Sequence, residues 1–284
     1  MTDALSVSPS PTPTRVSDAS QAGTLSIALT DLHEGVRRWY VWHRMGWQDT
    51  KLRYRRSMLG PFWLSISMGI MMIALGVLYS SLFKINIHDY MPFLAAGLVV
   101  WGLISTTLIE GCSVFIDSEG LIRNVSLPLS TYVYRILWRN LIVFAHNLVV
   151  YFGTALWFGL WPGAGMLLLS ALGLVLFIVN AVWAVLLMGI LSARFRDIPP
   201  VISSLIQVLF FFTPVIWKPE LAADRVALIH FNPFAHMVEI MRAPLLGHLP
   251  SVENWLTVIG VAIVGWALTL RLYMRLRHRI SYWV

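Results

Sequence analysis

Apolar and polar positions along this chain fall into long blocks. Charge-free runs occupy about 62–83, 90–109, 140–160, 166–191, 199–217 and 255–270. Each is close to the roughly 20 apolar residues that a helix needs to cross a hydrocarbon layer about 30 Å thick. The pattern therefore predicts an all-α integral membrane protein with six transmembrane helices. Between Arg139 and Arg194 only His146 is ionisable. That stretch is too long for one span, and Trp161-Pro162-Gly163-Ala164-Gly165 divides it with a tight turn.

The segments outside these runs carry their own periods. Leu32, Val36, Trp39, Tyr40, His43 and Trp47 fall on one arc at helical spacing, with Arg37 and Arg44 to one side and Glu34 opposite. This predicts an amphipathic helix lying in the membrane interface, with Trp39, Tyr40 and Trp47 at headgroup depth. A helix packed on a soluble partner carries the same signature. Residues 1–28 are rich in Ser, Thr, Pro and Ala without an apolar period, and read as a disordered cytoplasmic tail. Between the fifth and sixth runs, 218–254 is too long for a turn and too apolar for a solvated loop. Leu228-Ile229-His230-Phe231 and Met237-Val238-Glu239-Ile240-Met241 flank the breaker Asn232-Pro233. Two short re-entrant helices would bury those faces; a small external cap is the other reading.

Composition agrees with the blocks. Charged residues are 12% and hydrophobic residues 57%, against about 25% charged in a soluble domain. The net charge of +7 does not signal nucleic acid, because the cations gather at the ends of apolar runs. Of the 21 Lys and Arg, all but Lys84, Lys218, Arg225 and Arg242 fall on one side of the six-span layout. By the positive-inside bias that side is cytoplasmic and holds both termini, as in a multi-pass protein of the inner membrane. The block containing Lys51, Arg53, Arg55 and Arg56 abuts the first run and fixes its direction.

Candidate chemistry is sparse. There is no glycine-rich phosphate loop, no His-Glu-x-x-His and no Cys-x-x-Cys, and Cys112 is the only cysteine. The chain is expected to have no catalytic residue, no metal site and no cofactor of its own. The spans lack the midplane acids that ion-coupled carriers use, and Glu110 sits at the cytoplasmic end of the second run, within reach of headgroups. Energy is therefore expected from elsewhere. The loop 111–139 is the candidate entry point, because Glu119, Leu121, Ile122 and Arg123 combine charge with exposed aliphatic surface between two spans. An ordinary connecting loop is the alternative.

Five strings occur in the order found in ABC-2 type polysaccharide export permeases: Lys51 to Trp63, Leu121-Ile122-Arg123-Asn124-Val125, Arg194-Phe195-Arg196-Asp197-Ile198, Phe211 to Trp217, and Asn232-Pro233-Phe234. The C-terminal segment Tyr273 to Val284 most resembles O-antigen and capsule exporters. The resemblance covers about residues 30–284. It implies a homodimeric, channel-forming subunit driven by two copies of a separate ATP-binding subunit, which would hold the ATP and Mg. It also implies a coupling helix after the second span and a lipid-linked polysaccharide as substrate, most simply O-antigen, with capsule or teichoic-acid polymer as alternatives. A membrane-embedded transferase on lipid-linked sugars would need an acidic pair or His–acid motif that is not seen.

A sliding glycan needs aromatic rings and small polar groups. In the first run Phe62, Ser65, Gly69, Met72, Gly76, Tyr79 and Phe83 recur at steps of three and four. With Phe211, Phe212 and Trp217 of the fifth, they are the expected channel lining. Small residues at this spacing equally permit close helix packing.

Overall fold

The computed structural model describes residues 25–55, 62–219 and 229–284. The described residues form ten helices and no strand: α1 (Leu25–Arg37), α2 (Trp39–Tyr54), α3 (Phe62–Leu82), α4 (Ile87–Cys112), α5 (Glu119–Asn124), α6 (Leu129–Trp157), α7 (Ala164–Arg194), α8 (Ile198–Phe212), α9 (Pro233–Leu245) and α10 (Val252–Trp283). Five of them, α3, α4, α6, α7 and α10, are long and apolar enough to cross a membrane. The chain is an all-α integral membrane protein.

Helix α4 is the centre, packed by α3, α6, α7, α8 and α9. Helix α3 lies on the outside of the bundle and leaves Ile66, Ile70, Ile73, Val77 and Leu78 exposed, the surface expected of a lipid-facing or subunit-facing helix. One end of the bundle, marked by Arg53, Arg123, Arg139, Arg194 and Arg277, is called the basic end below. The opposite end carries the α3–α4 and α6–α7 connections and the start of α10.

Local chemistry explains the helix starts. Asn86, Asn232 and Ser251 each accept a hydrogen bond from a backbone N–H in the first turn of α4, α9 and α10, and Pro occupies the first turn of α8 and α9, where its missing N–H costs nothing. Helix α10 runs past the expected 255–270 to Trp283. Arg271, Arg275, Arg277 and Arg279 end the apolar run but not the helix.

The expected fifth span, 199–217, is not one helix. Helix α8 has 15 residues, about 22 Å at ~1.5 Å per residue, and Thr213–Trp217 continues as irregular backbone. Thr213, Pro214, Val215 and Ile216 are buried. Backbone of this kind survives at depth only if its polar groups find partners. Tyr90 Oη donates to Ile216 O at 2.5 Å, Arg242 Nη1 to Pro214 O at 2.5 Å, and Asn232 Nδ2 to Thr213 Oγ1 at 3.0 Å. Of the two expected short helices, α9 is present and almost fully buried between α4, α7 and α10. Of the other, expected at 228–231, Ile229 and His230 are helical; Leu228 and the residues 220–227 before it lie outside the described residues, as do 56–61 of the basic block.

Pro244 inside α9 removes one helical N–H, and the neighbouring carbonyls are engaged by other helices. Ser170 Oγ donates to Met241 O at 3.0 Å, and the hydroxyl of Tyr151 donates to Leu245 O. A Cβ on Gly173 would stand 2.7 Å from Ile240 O, and one on Gly97 would stand 2.8 Å from Val215 O. The two glycines let α7 and α4 approach the backbone of α9 and of Thr213–Trp217 directly.

The N-terminal region differs from the expectation in three ways. The tail ends earlier, since residues 25–28 already belong to α1 and Ala28 is buried; 1–24 lie outside the described residues. The amphipathic helix is two helices, broken at Arg38 (φ −86°, ψ 36°). Its packing face rests mainly on small residues, joined by Leu32 and His43 of the apolar arc: Ala28, Gly35 and Gly46 are buried. A Cβ on Gly35 would clash with Ser130 Oγ of α6, one on Gly46 would stand 3.0 Å from the Trp138 ring, and the His43 ring lies 4.9 Å from that same ring. Val36, Trp39, Tyr40 and Trp47 consequently face outward, 45–58% exposed.

Candidate functional site

Three arrangements in the bundle bear on function. The first joins α1 and α2 to the basic end. Asp31 of α1 is 3% exposed. Its carboxylate accepts from Leu129 N and Ser130 N at 3.1 Å each, from Tyr273 Oη at 2.8 Å and from Arg277 Nη2 at 3.2 Å. Leu129 and Ser130 open α6, whose Pro128 cap offers no side chain. Asp31 thus caps α6 from another helix, placing a negative charge at the positive end of its dipole. It ties α1, α6 and α10 at one point. Beside it runs a chain of ion pairs: Arg135 grips Asp49 at 2.6 and 2.7 Å, Arg139 lies 3.6 Å from Asp49 and 2.8 Å from Glu110, and Arg53 lies 3.0 Å from Glu110. Glu110, expected to reach headgroups, is instead shared by two arginines of α2 and α6.

The second arrangement surrounds α5. Leu121 and Ile122 are half-buried against the core, while Glu119 and Arg123 pair on the surface at 2.9 Å. The chain before α5 is anchored, with Val114 and Phe115 buried against Gly189 of α7. Arg123 also donates to Val284 O at 3.2 and 2.5 Å, Arg196 to Trp283 O at 3.3 Å, and the Arg194 guanidinium lies 5.7 Å from the Trp283 ring. The four residues singled out in the loop therefore share one short helix braced by the last turn of α10, which the 194–196 turn also holds. The surface between them exposes Val125, Phe195 and Tyr282.

The third is a cleft of about 660 Å³ running over α4 between α3 and α8. Phe210 and Phe211 present rings to it, 5.3 Å apart, and the buried Trp101, 5.9 Å from Phe210, floors it. Ser67, Ser105, Asn147 and Gln207 supply small polar groups among them.

The expected channel residues divide across the structure. Ser65 and Met72 are buried, Ser65 3.4 Å from Asn147 and Met72 accepting from Thr154 at 3.4 Å, and Met91 fills the space at Gly76. That part of the stripe is the face by which α3 packs on α4 and α6, so Ser65 and Met72 do not line a passage within this subunit. The small-residue pattern serves close packing. Phe62 stays 60% exposed at the basic end of α3 beside His146, and Tyr79 stacks on Phe83 at 5.4 Å at the opposite end. Phe211 and Phe212 are exposed, Phe211 on the cleft, and Trp217 is half-buried with Nε1 donating to Phe211 O at 3.1 Å. Trp101, Phe210, Asp31 and Arg277 were not singled out from sequence. Each acts through a partner far away in the chain, and no local period marks it. Among the described residues no group of three or more His, Cys, Asp or Glu is placed to hold a metal ion.

Comparison with known proteins places these features in context. The family model described as ABC-2 type transporter matches residues 40–246. The chain is 25% identical over 221 residues to the O-antigen export system permease protein RfbA of Myxococcus xanthus, covering 76% of this chain and 85% of that protein. Two proteins of the same name from Klebsiella pneumoniae are 21% and 22% identical over 238 and 241 residues, each match covering 82% of this chain and 91% of the relative.

Proposed function

This chain belongs to the ABC-2 type transporter family, and on that premise we propose that it is the channel-forming permease subunit of an ATP-driven polysaccharide exporter. Two copies work with two copies of a separate ATP-binding subunit, which holds ATP and Mg. The cargo is a lipid-linked polysaccharide of the O-antigen class, moved outward across the inner membrane. The basic end faces the cytoplasm, following the charge bias.

The observation that carries this reading is the cleft between α3 and α8. Its rings and scattered hydroxyl and amide groups suit a sugar polymer, which offers C–H faces and hydroxyls in alternation. No fixed charge lines it, so no single unit is held tightly. A second copy set against the exposed faces of α3 and α8 closes the cleft into a passage, with Phe62 near the cytoplasmic mouth and Tyr79 and Phe83 near the outer one. Phe212 lies at the subunit seam, and Trp217 holds the turn below the outer mouth.

The arrangement around α5 supports the energy route. Glu119, Leu121, Ile122 and Arg123 receive motion from the ATP-binding subunit. The contacts of Arg123 and Arg196 with the end of α10 spread that motion beyond the two spans that flank α5. Trp39, Tyr40 and Trp47 anchor the interfacial helices in the headgroup layer.

Replacing Gln207 and Phe211, both exposed on the cleft, together by Ala tests the reading. Surface polysaccharide should fall at least tenfold in cells whose own copy is deleted, while the amount of permease in the membrane stays at the wild-type level. Unchanged surface polymer at equal protein level refutes the path through this cleft.

A further inference from the structure

A second cavity lies at the end opposite the basic end, beneath the α6–α7 connection and the C-terminal end of α9. It encloses about 490 Å³, within the roughly 300–1,000 Å³ of small-molecule sites. Four of its side chains have unused hydrogen-bonding capacity. Among the described residues the carboxylate of Asp89 and the ring nitrogens of His88 and His248 have no hydrogen-bond partner, and the ammonium of Lys218 has only the Phe93 ring at 5.8 Å. The other charged pair in the wall is already satisfied. Arg242, buried and 4.2 Å from the centroid of the Phe93 ring, spends its donors on Glu239 and on Pro214 O.

Charge decides what fits. An anion entering this cavity meets Asp89 and Glu239, and a cation meets Lys218 and Arg242. A neutral ligand meets no excess of either sign and finds both donors and acceptors waiting. The wall also offers apolar patches: Phe158, in edge contact with the His88 ring at 5.1 Å, Leu160 and Leu246. Apolar patches beside uncommitted donors and acceptors match the C–H faces and hydroxyls of a pyranose. We propose that this cavity is a binding subsite for an uncharged saccharide unit, held by His88, Asp89, Lys218 and His248. The proposal rests on the export reading for its position, since that reading places this end outside, where the polymer emerges. A weak sugar site there favours forward motion by holding a unit that has already crossed.

Saturation-transfer NMR on the full-length protein in lipid nanodiscs tests it, with maltotriose, mannotriose and N-acetylchitotriose as neutral probes and tri-galacturonate and tri-glucosamine as charged ones. The expected result is transfer to at least one neutral trisaccharide and not to the charged pair, reduced at least threefold by Lys218→Met with His88→Ala. Among the described residues those two side chains make only ring contacts, so the variant should keep its thermal stability, measured in parallel. Preference for tri-galacturonate, equal transfer in wild type and variant, or no transfer to any neutral probe each overturns the proposal. Surface polysaccharide in a deletion strain reports separately on export. A bound neutral probe with polymer display unaffected by deletion keeps the subsite and removes the export reading. No bound probe with display lost on deletion does the reverse.

Discussion

Replacing Asp31 by Asn removes one charge and almost no volume, which makes it the sharpest test of the junction at the basic end. The carboxylate accepts from two backbone N–H groups that open α6, from the Tyr273 hydroxyl and from Arg277. An amide turns one acceptor oxygen into a donor NH2 facing a backbone N–H, and it leaves Arg277 unpaired. Loss of an N-cap costs about 0.5–2 kcal/mol. Removing one partner of a buried ion pair costs about 3–5 kcal/mol, and that figure must be reduced because the Arg277 side chain is 34% exposed and retains water. A total of about 2–4 kcal/mol follows. Reversible unfolding in mixed micelles on SDS titration measures it, with Arg277→Met and the double variant completing a thermodynamic cycle. The two changes should be non-additive by about 1–2 kcal/mol, since both remove the same pair. Wild-type stability in Asp31→Asn, or strict additivity with Arg277→Met, would refute the assignment of Asp31 as the capping and pairing group.

Three further outcomes follow from other parts of the molecule. Gly97→Ala should destabilise by about 1–3 kcal/mol, as expected of an overpacked contact, because its Cβ meets the backbone oxygen of Val215, whereas Gly102→Ala, with nothing within 4 Å, should leave unfolding unchanged; equal behaviour of the two would contradict the close seat of the re-entrant segment. Charge reversal at Glu119 and Arg123 together should leave the permease in the membrane but abolish ATP-dependent export, read as surface polymer with hydrolysis measured on the purified complex; normal export would reduce α5 to a connector. Single cysteines at Asp117 and Leu249, in a Cys112→Ala background, should react with an impermeant maleimide only from opposite sides of the membrane, and labelling of both in intact cells would break the proposed orientation.

The charge-free runs gave α3, α4, α6 and α7 to within a few residues, except that α6 begins at Leu129 because Arg135 and Arg139 end the apolar run without ending the helix. Hydropathy marks where lipid begins and is blind to where hydrogen bonds stop. The same blindness joined α8 to the irregular Thr213–Trp217, which is equally apolar. The aromatic face of α1 and α2 was legible, whereas the break at Arg38 and the packing on Gly35 and Gly46 were not, since small residues carry little period. On α3 the pattern of Ser65, Gly69, Met72 and Gly76 fitted both a passage and a packing seam, and only the position of Met91 and Asn147 separates them. The cleft was illegible for a different reason. Trp101 and Phe210 sit on helices far apart in sequence, and neither is unusual within its own apolar run.

The way α9 and Thr213–Trp217 are held has a consequence for how the protein is made. Their backbone oxygens are satisfied by Tyr90, Tyr151, Ser170 and Arg242, and the first three of these belong to α4, α6 and α7, which are synthesised earlier. An isolated re-entrant segment released sideways into lipid would carry unpaired carbonyls, each costing several kcal/mol. It can leave the insertion machinery only onto an assembled α4–α6–α7 core. Biogenesis is therefore ordered along the chain, and a nascent protein stalled just before Thr213 presents a preformed receptacle of two tyrosine hydroxyls and a serine, waiting for the segment that closes it.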